Sequence, residues 1–168
     1  MCDVLLYAIF LFLMHRAAVH DRKAGLIPDR ICYSGIAFAL LWALLFGDLS
    51  NGLQKISAVN PLNYPVKILI DVLVVSGGLL WIAMTFESLA GREGLGFGDI
   101  KLVGLMGAFL GIGGAVHGIF YGAWLAVFIE TFRRRRRHFC RNCHIPFAPY
   151  LFYGSFIQCC ISLYVSHR

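Results

Sequence analysis

Residues 102–129 read LVGLMGAFLGIGGAVHGIFYGAWLAVFI, 28 positions with no charged side chain and one histidine, His117. As a single helix this stretch would be about 42 Å long, against roughly 30 Å of bilayer hydrocarbon. At its centre stands Gly111-Ile112-Gly113-Gly114, where two shorter helices would part. Charge decides between the two readings. Arg133 to Arg137 and Arg141 follow the stretch, Arg92 and Lys101 flank the glycine-rich link before it, and Arg16, Arg22, Lys23 and Arg30 surround the link after the first apolar segment. With a break, and therefore six spans, these 12 of the 15 basic residues fall on one membrane face. Without it, the arginine run lands on the other. Basic residues accumulate in cytoplasmic loops, so the sequence predicts two spans here and six in all, with both termini on the opposite face.

The rest of the chain is consistent with that count. Of its 168 residues 59% are hydrophobic and 14% charged, with a mean hydropathy of +0.73. Soluble domains carry roughly 25% charged residues, so a soluble monomer is excluded, and so is a disordered chain, which needs the opposite composition. Further apolar segments cover 4–20, 31–47, 66–89 and 145–165, and the Gly-, Asn- and Pro-containing residues 48–65 read as a loop. The first segment has no basic residues before its apolar core and no small-residue cleavage pattern after it, so it reads as a retained helix. At about 20 residues per crossing, one all-α integral-membrane domain over 1–168, of about six transmembrane helices, uses the whole chain. The net charge of +6 then orients the protein in the lipid bilayer. The arginine run is read as a headgroup anchor, and no nucleic-acid partner is expected.

Ionisable groups in or beside a membrane are costly and are functional suspects by default. Asp21 follows the first apolar segment, and Asp99 begins the fourth span. The expected topology brings both to the basic face, together with Asp29 and Glu93. Two carboxylates at one interface can share a proton, one acting as base toward water and the other as acid. Pairing with Arg22, Lys23 or Arg92 is the competing, structural explanation.

Residues 91–102 read Gly-Arg-Glu-Gly-Leu-Gly-Phe-Gly-Asp-Ile-Lys-Leu. This string resembles the Gly-x-Gly-Asp motif of the type IV prepilin leader peptidases, which are membrane aspartic peptidases. Asp21 followed by Leu26-Ile27-Pro28-Asp29, and Ile145-Pro146-Phe147-Ala148-Pro149 at the start of the last span, resemble two further signatures in the same order. The resemblance implies that Asp21 and Asp99 are the catalytic pair, that Gly96 and Gly98 form the active-site loop, and that neither a cofactor nor a metal is needed. It implies prepilin or type II secretion pseudopilin substrates, cut at the cytoplasmic face of the plasma (inner) membrane. Gly96 and Gly98 are expected to adopt backbone conformations closed to other residues and to let a substrate strand approach. Lys101 and Glu93 match common family positions and are read as structural or interfacial. Asp29, after Pro28, is read as a cap for the second span.

Larger members of that family carry an N-terminal module with two Cys-x-x-Cys pairs, associated with zinc and N-methylation. Nothing of that kind precedes Asp21, so the short, six-span form is expected, similar in layout to the archaeal preflagellin peptidases. Cys140 and Cys143, followed by His144, make one pair where zinc needs about four ligands, and are read as non-metal residues. Cys159 and Cys160 are read as packing residues, His117 as a buried hydrogen-bonding group, and Asp71 as a partner of Lys67 one turn away. A different class remains as the alternative: a small transporter or channel component using Asp71, His117 and the glycine breaks as a pathway. The two differ in where the working acids lie, near the midplane or at the cytoplasmic interface. Helix ends also differentiate the aspartates. A helix N-terminus favours a carboxylate and a C-terminus disfavours one, by about 0.3–1 kcal/mol and up to about 2 when partly buried. Asp99 is thereby expected to be the base and Asp21 the acid.

Overall fold

The computed structural model describes residues 2–24, 27–46, 63–91, 96–136 and 147–166. These form five helices: α1 (Cys2–Ala24), α2 (Asp29–Phe46), α3 (Asn63–Ala90), α4 (Phe97–Arg136) and α5 (Ala148–Ser166). No strand occurs among the described residues. Four helices, α1, α3, α4 and α5, are long and apolar enough to cross a membrane. The residues expected to form most of the loop at 48–65, the Arg92–Leu95 part of the glycine-rich link, and Cys140, Cys143 and His144 lie outside the described residues.

Five helices stand where about six were expected, because the fourth and fifth spans run on without a loop. α4 is a helix of 40 residues interrupted at Gly111, whose φ of 69° and ψ of 178° belong to a region essentially restricted to glycine. The side chains show that the chain folds back there. Met106 Cε lies 2.7 Å from where a Cβ on Gly118 would stand, and Leu110 Cβ lies 2.8 Å from the same position on Gly114. On a straight helix residues 106 and 118 would be about 18 Å apart. Residues 97–110 and 112–136 are therefore two antiparallel limbs sharing one glycine as their turn.

Neighbouring helices follow that reversal. The first limb runs antiparallel to α3: a Cβ on Gly104 would meet Ser76 and Val72, and one on Gly107 would lie 3.1 Å from the carbonyl oxygen of Asp71. The second limb runs antiparallel to α5, where Gly122 approaches the carbonyl oxygen of Tyr150 to 2.9 Å, measured from the missing Cβ. On α5 itself, Gly154 faces the backbone of Gly118 and Gly122. α1 lies antiparallel to α5, with Tyr7 Oη and Ser162 Oγ 3.2 Å apart at one end and His15 against Phe152 nearer the other. α2 runs beside the first limb, with Gly35 under Leu105. Lipid supplies no hydrophobic drive between helices, so close approach at small residues is what such bundles use.

The core is centred on the first limb, where Leu102, Val103, Leu105 and Met106 are fully buried, with Phe10 stacked on Phe109 at 5.2 Å. The outer surface is apolar: Leu73, Trp81, Leu89 and Trp124 are all exposed. Trp42 differs, half-buried beside Phe38. His117 is exposed and stacks with Tyr121, not buried as expected, because it lies on the side of the second limb away from α5 and the first limb. Of the two cysteines expected to pack, Cys159 is buried and Cys160 exposed.

The glycines make a test. A Cβ at Gly154 would collide with backbone atoms of the second limb, which cannot swing aside, whereas one at Gly77 would meet nothing within 4 Å. Gly154→Ala should destabilise the solubilised protein by about 1–3 kcal/mol, seen as a lower thermal midpoint. Gly77→Ala should leave it equal or stabilise it by about 0.5–1 kcal/mol. Equal midpoints for the two variants would contradict the α4–α5 backbone contact.

Candidate active site

Asp21 lies within the last turn of α1, which continues to Ala24 rather than ending before the aspartate as the hydropathy suggested. It is only 6% exposed, and its Oδ2 has no hydrogen-bond partner among the described residues. Leaving a buried carboxylate oxygen unpartnered is costly, so such a group calls for an explanation outside packing.

Asp99 is the third residue of α4. Its N–H donates to the carbonyl oxygen of Gly96 at 3.0 Å, which closes the turn that starts the helix. The Asp99 carboxylate leans over that turn, with Oδ2 3.6 Å from where a Cβ of Gly96 would be. The side chain is half-buried and Gly96 is exposed. Gly98 serves in a different way from that expected. The positive-φ glycines among the described residues are Gly91 and Gly111, so neither Gly96 nor Gly98 owes its presence to left-handed backbone. At Gly98 the reason is proximity: a Cβ there would lie 3.1–3.3 Å from three carbons of Ile27.

Ile27 belongs to the short connection between α1 and α2 and is 9% exposed. Its contact with Gly98 brings the residues after Asp21 against the residue before Asp99. Two residues after Ile27 and three after Gly98, Lys101 Nζ donates to Asp29 Oδ1 at 2.6 Å. Asp29 thus spends its carboxylate across the bundle and not as the cap expected for α2. The start of that helix is closed instead by Ile31 N–H donating to the carbonyl oxygen of Pro28 at 3.0 Å. The two aspartates expected to work together are therefore at one end of the bundle, on adjoining elements. Neither the Ile27–Gly98 contact nor the Lys101–Asp29 pair was read from the sequence. Their partners are 71 and 72 positions apart, and no local period relates them.

Phe147, Ala148 and Pro149 come to the same end at the start of α5, where Phe147 O accepts from the N–H groups of Tyr150 and Leu151. Ile145 and Pro146 of that signature lie outside the described residues, as does Glu93. Asp71 sits away from this end. It is 6% exposed, and its Oδ2 lies 3.5 Å from the position a Cβ of Gly111 would take, beside the turn of α4. No three His, Cys, Asp or Glu side chains gather into a candidate metal site among the described residues.

Comparison with known proteins identifies the family of the chain. Residues 5–131, which include both aspartates, match the model of the type IV leader peptidase family. A prepilin leader peptidase/N-methyltransferase from Xanthomonas campestris pv. campestris is 28% identical over 132 residues, 78% of this chain and 41% of the relative. A protein of the same name from Aeromonas hydrophila is 30% identical over 131 residues, covering 78% and 40%. A third, from Klebsiella pneumoniae, is 35% identical over 105 residues, covering 61% and 39%. The chain thus spans about two fifths of the length of these curated relatives. No solved structure matches it. With residues 5–131 matched and helices long and apolar enough to span a bilayer, the chain is an integral membrane protein of the type IV leader peptidase family.

Proposed function

We propose that this protein is a membrane aspartic endopeptidase that removes the leader peptide from type IV prepilins or type II secretion pseudopilins. The cut would be made at the cytoplasmic face of the inner membrane. The observation that carries the reading is that the two aspartates lie at one end of the bundle, on elements joined by the Ile27–Gly98 contact. One is buried with a carboxylate oxygen that has no partner among the described residues, and the other, in the first turn of α4, is held over the exposed Gly96. The family and the names of the relatives support it, and so does the charge pattern, since basic residues accumulate in cytoplasmic loops.

The chemistry follows from the pair. One carboxylate, ionised, takes a proton from water as the oxygen attacks the scissile carbonyl carbon. The other, protonated, gives its proton to the carbonyl oxygen. Collapse of the tetrahedral species breaks the C–N bond, with the amine nitrogen reprotonated, so a new carboxylate and a new amine are released. The helix ends assign the base to Asp99, in a first turn, and the acid to Asp21, in a last turn. A substrate with a hydrophobic helix in the bilayer and a charged leader outside would present its junction at this level. The transporter reading is less well supported: His117 is exposed on the outer side of α4, and Asp71 lies against the α4 turn.

Three outcomes are expected with purified protein in lipid and a synthetic prepilin. Asp21→Asn and Asp99→Asn, in protein checked to insert and fold as the wild type does, should each lower cleavage by about 10²–10⁴-fold or more. Full processing by either would remove the pair from the mechanism. Gly98→Val should also impair cleavage by displacing Ile27, and Ile27→Ala in the same chain should recover part of it; absence of recovery would contradict the contact as the cause. Replacing both Cys140 and Cys143 with Ser should leave hydrolysis intact. Loss of activity on chelation, matched by that double variant, would show that a metal had been dismissed wrongly.

A further inference from the structure

Lys101 lies in the second turn of α4, near the helix end that gains nothing from a cation. Its contacts explain why it is there. The ammonium donates to Asp29 Oδ1 at 2.6 Å and lies 5.7 Å from the ring centroid of Tyr33 and 5.8 Å from that of Phe97. Asp29 and Tyr33 are one turn apart on α2, and Phe97 is one turn before Lys101 on α4. One side chain is thus seated between an anion and two aromatic faces drawn from two helices. It is 24% exposed, whereas Asp29 is 57% exposed. So exposed a pair adds little to stability.

Its position is more telling than its strength. Where the chain leaving α1 meets the start of α4, two contacts stand out, Ile27 on Gly98 and Asp29 on Lys101. They lie on either side of Asp99 in the α4 sequence, and their partners, Ile27 on the connection out of α1 and Asp29 at the start of α2, both follow Asp21 closely in the chain. We propose that Asp29 and Lys101 form a positioning latch that sets the first turn of α4, and Asp99 with it, against the end of α1 that carries Asp21. This inference rests on the assignment of Asp21 and Asp99 as the working pair. The latch touches no reacting atom. It acts by holding a carboxylate where the other can share its work, and misplacement by about 1 Å can cost a hundredfold in rate.

The test uses the full chain in lipid bilayers, with a synthetic prepilin as substrate. Lys101→Met and Asp29→Asn should each lower kcat by about tenfold to a hundredfold with KM unchanged. The charge-exchanged chain, Asp29→Lys with Lys101→Asp, should recover activity above either single variant. A raised KM with kcat intact would make the pair a substrate contact and overturn the latch, as would an exchanged chain no better than the singles. A second measurement does not depend on catalysis. Spin labels at positions 22 and 96, in a chain whose native cysteines are replaced, report the separation of the α1 end from the α4 start. The distance distribution should shift or broaden when Lys101→Met is added, and an unchanged distribution overturns the latch whatever the activity. If the wild-type chain cleaves no prepilin, the peptidase assignment fails on its own, and the distance measurement still decides the latch.

Discussion

Backbone contact through glycine is what the rest of this structure depends on. At Gly107 the first limb of α4 meets the backbone of α3, and at Gly122 and Gly154 the second limb meets the backbone of α5. No side chain separates these helices at the crossing points, so each neighbour has one admissible position along α4. A bundle without a hydrophobic force between its members needs this kind of fit, since packing and hydrogen bonding are what remain to hold helices together. The turn at Gly111 extends the same logic. It lets a continuous helix reverse within one residue, and so puts α3 and α5 on the two limbs of a single element.

The candidate site is a consequence of that register. The first limb is the most buried part of the molecule, and its N-terminal turn carries Asp99. Because the limb is fixed along α3 and beneath α2, its first two turns meet Ile27 of the α1–α2 connection and Asp29 at the start of α2. Asp21 then arrives at the same end with the last turn of α1. Two carboxylates that lie 78 positions apart are brought to one level by helix lengths and glycine crossings, not by any contact of their own that the sequence could signal.

What could be read beforehand was whatever repeats locally or accumulates along the chain. Hydropathy located the apolar segments, and the summed basic charge detected the reversal near Gly111, although not that it would occur without a loop. A helix broken by one left-handed glycine leaves no polar residues to mark the turn. Motif resemblance singled out Asp21 and Asp99. The reasons behind neighbouring residues were not accessible in the same way. Gly98 proved to be a matter of space beside Ile27, Asp29 an ion-pair partner and not a cap, and His117 a residue of the outer face. Each of these depends on which helix lies alongside, which periodicity within one helix does not specify.

The central claim is that Asp21 and Asp99 act as one unit, and a peptide epoxide built on a prepilin leader junction tests it most directly. An ionised carboxylate opens an epoxide readily when a neighbouring carboxylic acid protonates the departing oxygen, so the probe responds to two carboxylates together. Peptide mapping by mass spectrometry should find the ester on Asp99 or Asp21, and Asp→Asn at the other position should abolish it. Labelling confined to Asp29, Asp71 or Glu130, or labelling of one aspartate that survives loss of the other, would contradict the account.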